Sequence, residues 1–88
     1  MAANYPYITK VEGVCGGEAI IAGTRIAVWH IAESYYRLGR SVEEMLLDWD
    51  FIQPAMLFSA LAYYHDHRAE IQQAIQVNSY EYWHEHYA

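Results

Sequence analysis

Residues 16–28, GGEAIIAGTRIAV, hold the reading that decides the fold. Glycine reaches positive φ without steric cost, so Gly16, Gly17 and Gly23 mark two backbone turns. Between them, Ala19, Ile20 and Ile21 read as a short buried strand. After Ala22-Gly23, Thr24-Arg25-Ile26 returns as its partner, which predicts a hairpin. Toward the N-terminus, residues 7–11 (YITKV) form a β-rich run closed by Glu12-Gly13, a candidate strand beside that hairpin. Residues 1–6 read as a frayed terminus. Everything downstream follows a helical pattern, so the opening stretch is the β element that closes one end of a small helical domain.

The first helix is expected over residues 27–38, where Val28, Ile31, Ala32, Tyr35, Tyr36 and Leu38 recur at helical spacing. Gly39 suits the position just past its end, and Arg37 and Arg40 suit the negative end of its dipole. Ser41-Val42-Glu43-Glu44 has the form of a capping box, in which hydroxyl and carboxylate each accept from the other residue's amide. The second helix then covers residues 42–49, with Met45, Leu46 and Trp49 inward. Pro54 fits the first turn of a third helix, where a missing N–H costs nothing. Leu57, Leu61, Tyr64, Ile71 and Ile75 carry that helix to residue 77, their stripe interrupted by Arg68. Asn78-Ser79 marks its stop. The domain is thus residues 1–79, with an aromatic and acidic tail over residues 80–88.

Composition excludes several classes. At 88 residues and 55% apolar content the chain is one small folded domain, too hydrophobic for disorder. Cys15 is the single cysteine, so no internal disulfide forms, which fits a reducing cytoplasm. It reads as a small buried apolar residue, with no basic neighbour in sequence to activate it. No apolar run is long enough to span a bilayer, and the N-terminus lacks a charged region ahead of an apolar one. A cytoplasmic protein without a membrane partner is expected. The net charge of −6, five cations against eleven carboxylates, repels phosphate and suits a basic protein partner.

Three short helices with a break between the second and third outline a helix-turn-helix, homeodomain-like or winged-helix-like, preceded by the small β element. In such a motif the last helix presents its early residues to the major groove. Gln53 there is a good base reader and Arg40 the nearest cation upstream, so these two are the candidate DNA-binding residues. No lysine or arginine lies between Arg40 and Arg68.

Ile8-Thr9, Val14-Cys15-Gly16-Gly17, residues 20–26 (IIAGTRI), Val28-Trp29 and Ile31 together resemble the domain of unknown function 433 family. Gly39, residues 41–44, Leu46, residues 60–64 (ALAYY), His67 and Glu70 extend the likeness over residues 7–71. Gly16, Gly17, Gly23, Thr24 and Arg25 carry its structural signature. The resemblance implies a β segment with a helix-turn-helix-like bundle, and an antitoxin of the VapB type encoded beside a PIN-like nuclease toxin. It therefore implies a toxin neutraliser and repressor, not an enzyme. Ala27 stands where the family pattern has proline, and Pro54 is displaced from the pattern's aromatic-Pro turn before the third helix.

The remaining polar groups carry less. His65-Asp66-His67 and His84-Glu85-His86 place their imidazoles two apart, which do not share a helix face. No closed zinc set, phosphate loop, dinucleotide glycine pattern or catalytic triad is found, so no metal, cofactor or catalytic residue is expected. Arg25 either forks onto a carboxylate or carbonyls, tying the hairpin to the helices, or contacts DNA or a partner. The first reading predicts that Arg25→Ala lowers the melting temperature by several degrees. Nine tyrosines and three tryptophans exceed what so small a core can hide, which points to a homodimer. Tyr82 and Trp83 are the candidate contacts to a toxin groove. The expected function is an antitoxin-like interaction module, acting by occlusion with weak autoregulatory binding to promoter DNA; the alternative is a helix-turn-helix transcriptional repressor.

Overall fold

The computed structural model describes residues 5–87, with side chains described through residue 78. The chain is mainly helical. Two short strands, β1 (Ile8–Lys10) and β2 (Ala19–Ile21), precede four helices: α1 (Val28–Tyr36), α2 (Val42–Asp48), α3 (Pro54–Asp66) and α4 (Arg68–Tyr87).

The strands pair antiparallel, with Ile8 opposite Ile21, Thr9 opposite Ile20 and Lys10 opposite Ala19. The partner of β2 is therefore the N-terminal run and not residues 24–26, which corrects the expected hairpin. The returning segment makes only one bridge, Ile20 to Ala27. Thr24 explains why. Its hydroxyl donates to the Ile21 carbonyl at 2.8 Å and accepts from the Ile26 amide at 3.0 Å, curling the chain into a local turn where a ladder would otherwise extend. Ala19, Ile20 and Ile21 are all buried, so β2 lies inside the domain with β1 on one side and the turn on the other.

Helix α1 buries Val28, Ile31 and Ala32 as the spacing predicts, but Tyr36 and Leu38 of the expected stripe are exposed while Glu33 and Ser34 are buried, and the helix ends at Tyr36, two residues before the expected end. Gly39 adopts φ 72°. The amides of Leu38 and Arg40 fold back onto the carbonyls of Glu33 and Ser34, satisfying the last turn. The capping box of α2 is present in full: Glu44 N–H donates to Ser41 Oγ at 3.1 Å, and Ser41 N–H to Glu44 Oε1 at 2.8 Å. Met45 is fully buried and anchors this seven-residue helix, a contribution of about 1.5–3 kcal/mol. Leu46 and Trp49 are half-buried against the core.

The expected third helix is two helices. Pro54 opens α3 at its first turn, but His67 leaves helical geometry at φ −133°, ψ 48°. Its amide donates to both the Tyr63 and Tyr64 carbonyls, and its ring stacks on Tyr63 with centroids 4.0 Å apart. The break falls where Arg68 interrupts the apolar stripe. Beyond it, Ile71 and Ala74 are buried again, and α4 packs against α1. The bundle has four helices, so the three-helix arrangement expected from sequence is set aside. Helix α4 also continues through Asn78-Ser79, the expected stop: Asn78 donates to the Ala74 carbonyl at 2.7 Å, bonding within the helix instead of ending it. The core is Ile21, Val28, Ile31, Met45 and Leu57, each with no solvent exposure. No helix among the described residues is long and apolar enough to cross a membrane.

Candidate functional site

Gly23, Thr24 and Arg25 of the signature line a surface groove. Cys15, Gly16 and Gly17 form a tight turn in which all three residues have positive φ, at 51°, 66° and 80°. Three successive left-handed residues cost little only when glycine supplies most of them. The turn carries Cys15 back toward the Thr24-Arg25-Ile26 segment, where its thiol donates to the Arg25 carbonyl at 3.1 Å. Cys15 is half-buried and cross-links the two signature turns, a role its sequence context did not show. Gly23, at φ 80°, makes the second turn.

Between these turns and the end of α2 lies a groove of about 570 Å³. Val11, Val14, Ile20 and Ile26 line its apolar side, Trp49 and Phe51 close the opposite wall, and Arg25 stands at the rim. Trp49 meets His30 edge-on at 5.4 Å, and His30 stacks on Trp29 at 5.5 Å, a row of rings that holds the indole in place. Phe51 is 61% exposed, and Leu47 on the last turn of α2 is 82% exposed. Exposed apolar side chains thus occur both at the groove, in Phe51, and beside it in sequence, in Leu47. Leu47 and Phe51 escaped the sequence reading because both were absorbed into a helix pattern or a connection. Their signal is present in residues 46–52, LLDWDFI, where apolar residues outnumber the inward positions of one short helix.

The five cations are placed very differently from one another. Lys10 pairs with Glu70 at 3.0 Å, Arg37 with Glu33 at 2.7 Å and Arg40 with Asp48 at 2.5 Å. Arg68 lies over the Tyr64 ring at 5.8 Å. Arg25 is exposed, and among the described residues its guanidinium takes no carboxylate, carbonyl or ring. The expectation that it ties the hairpin to the helices is corrected: that segment is held by Thr24 and the Cys15 thiol, with Arg25 projecting from the tip.

Arg40 and Gln53, the two candidate DNA contacts, lie at opposite ends of α2. Arg40 precedes the Ser41 cap with its charge matched by Asp48. Gln53 is the exposed N-cap of α3, its side chain making no capping bond. Tyr82 and Trp83 lie outside the residues whose side chains are described, as do His84 and His86. The other candidate pair, His65 and His67, is engaged separately: His65 Nε2 lies 2.5 Å from the Tyr36 hydroxyl, while His67 stacks on Tyr63. Among the described residues no three histidine, cysteine or acidic side chains come together to hold a metal ion. Among the described residues most of the tyrosine and tryptophan rings pack back on the domain, with Tyr63 and Tyr64 buried and Trp29, Tyr35 and Trp49 half-buried.

A second polar cluster joins β1, α3 and α4. Glu70 accepts from the Tyr63 hydroxyl at 3.1 Å as well as pairing with Lys10. The hydrogen bond to Glu70 raises the Lys10 ammonium above its ordinary value, against a smaller opposing effect of burial. Burial raises the Tyr63 phenol, and the neighbouring Glu70 charge adds to it. Tyr5 packs edge-on against Tyr63 and bonds Asp66, tying the N-terminal segment to α3.

Compared with known proteins, residues 8–64 match the family described as protein of unknown function DUF433. That span takes in both strands, the signature turns, α1, α2 and most of α3. A crystal structure of a DUF433 member protein from Anabaena variabilis is similar, with a TM-score of 0.75 and 33% identity over 80% of this chain and 68% of that one. No curated protein matches. A family match over more than half of the chain, with the same fold at this identity, shows that the chain belongs to the DUF433 family.

Proposed function

We propose that this protein is an antitoxin-like interaction module that neutralises a PIN-like nuclease toxin by covering it, and that it performs no catalysis of its own. The observation that carries the reading is the exposed apolar surface formed by the signature groove, Leu47 and Phe51. Large exposed apolar side chains beside an apolar groove support a protein contact site. The net charge of −6 suits a basic partner and opposes phosphate. The antitoxin role that the resemblance implies suggests the class of partner, and the exposed apolar residues support a docking place at the groove. A homodimer, a cytoplasmic location and added contacts from Tyr82 and Trp83 belong to the same proposal.

The test is co-expression of the tagged chain with the reading frame beside its gene. A stoichiometric complex in which a ribonuclease activity is silenced supports the reading; an active, unbound nuclease refutes it. Light scattering on the free chain checks the dimer.

The second reading, a DNA-binding transcriptional repressor, is favoured by one observation: Gln53 is exposed at the start of α3, directly after a short preceding helix. Against it, the Arg40 charge is already matched, and α3 carries no lysine or arginine. A salt-dependent gel shift on the promoter fragment, lost in Gln53→Ala, would establish it.

A further inference from the structure

A different groove, on the face formed by β2, α1 and α4, has the opposite chemistry. Its volume is about 360 Å³. Ala19, Ile71 and Ala74 form a floor, each less than a tenth exposed, and the half-buried Trp29 indole forms a wall. Glu18 and Glu70 supply the charged rim, and among the described residues no lysine or arginine lines it.

We propose that this groove receives an arginine side chain presented by a basic protein partner. Arginine carries an aliphatic stem that covers apolar surface and a charged head that stays at a polar edge, matching floor and rim. Tryptophan is the ring a cation prefers, and a carboxylate accepts the guanidinium fork through two bonds. Glu18 is the main recognition group. Its two oxygens receive only the neutral Asn78 amide, at 3.4 and 3.5 Å, so its charge is uncompensated by any cation among the described residues. Glu70 is already met by Lys10 and by the Tyr63 hydroxyl, and adds field more than a free bonding site. The whole-chain charge of −6 favours the same sign of ligand. A phosphate or an acidic peptide meets only repulsion here.

This inference rests on the interaction-module reading for its biological partner, but its chemistry is testable alone. The probe is the peptide acetyl-Gly-Arg-Gly-amide, followed by nitrogen-15 NMR on the full chain. The control replaces arginine with citrulline, which has nearly the same shape and no charge. Saturable shifts at the Trp29 indole and the Ala19 and Ala74 amides are expected with the arginine peptide only, weakening as salt is added. Glu18→Gln keeps the Asn78 contact and is expected to weaken binding about tenfold. Gln73→Lys, at an exposed position, places a cation at the rim and is expected to abolish binding without disturbing the fold. Equal shifts with citrulline, or wild-type affinity in both variants, would overturn the inference.

Co-expression separates this inference from the parent reading. A nuclease complex that forms equally well with wild type and with Gln73→Lys sinks the groove and leaves the module. An arginine peptide that seats while no complex forms with either protein sinks the module and supports the groove.

Discussion

Phe51→Ala separates a docking residue from a packing residue. Phe51 is 61% exposed, and a phenylalanine offers roughly 200 Å² to a contact, so about 120 Å² is left for a partner to cover. At about 25 cal/mol per Å² that area is worth a ceiling of about 3 kcal/mol. Ordering and imperfect desolvation reduce what a real interface keeps, so a loss of about 1–2 kcal/mol, or about 5–30-fold in Kd, is expected. Stability responds differently. Removal of a mostly exposed side chain stays within about 0.5 kcal/mol, less than about 4 °C in Tm for a domain of this size. Calorimetric titration of the co-expressed nuclease with wild type and variant reads the first quantity, and a thermal melt reads the second. Affinities within about twofold of each other at unchanged Tm would refute the placing of the interface at this groove. A large fall in Tm would show instead that Phe51 belongs to the core.

Three further outcomes follow from named contacts. Ser41→Ala removes one half of the capping box and is expected to cost about 1 kcal/mol, or about 4–8 °C in Tm; a melt unchanged from wild type would show that α2 is held by Met45 alone. Arg25→Ala is expected to leave Tm within about 4 °C, because the guanidinium takes no partner among the described residues, while it alters partner affinity; a larger fall in Tm would restore a structural role. Lys10 and Tyr63 both titrate above their ordinary values of 10.5 and 10.0 in the folded protein. A raised folded value means that the stability each contributes is whole below the unfolded value and is lost as pH rises through the folded one. Melting temperature should therefore fall above about pH 10, and less steeply in Tyr63→Phe; parallel curves for the two proteins would contradict the Tyr63 assignment.

The aromatic surplus had suggested an interface by its quantity. Among the described residues most of those rings instead pack inward or stack on one another, and the most exposed large apolar side chains are Leu47 and Phe51. Counting residue types measures how much apolar area exists; which side chains bury it depends on how the helices cross. The same limit applied to Arg25. As the most distinctive polar residue of its segment it invited a structural role, yet the turn is closed by Thr24 and by the Cys15 thiol across ten residues of chain. Arg40 likewise met Asp48, eight residues away, a partner no short-range pattern would single out.

What the sequence determined by itself was whatever is settled within about four residues of chain, the span of one helical turn. The Ser41–Glu44 box, Pro54 at the first turn of α3 and the glycine turns depend on local sterics and local hydrogen bonds, which the order of residues states directly. The signature turns also carried enough of the pattern to place the chain in its family. The tertiary structure decided which run pairs with β2, where the long helical pattern breaks, and which charges are matched. Pairing with β1 wins over the nearer segment because Thr24 diverts the backbone bonds a ladder would use. Beyond the break at His67, Ile71 and Ala74 are buried and α4 packs against α1. Each of these is a competition between contacts distant in the chain, and only the packed arrangement holds both competitors in view.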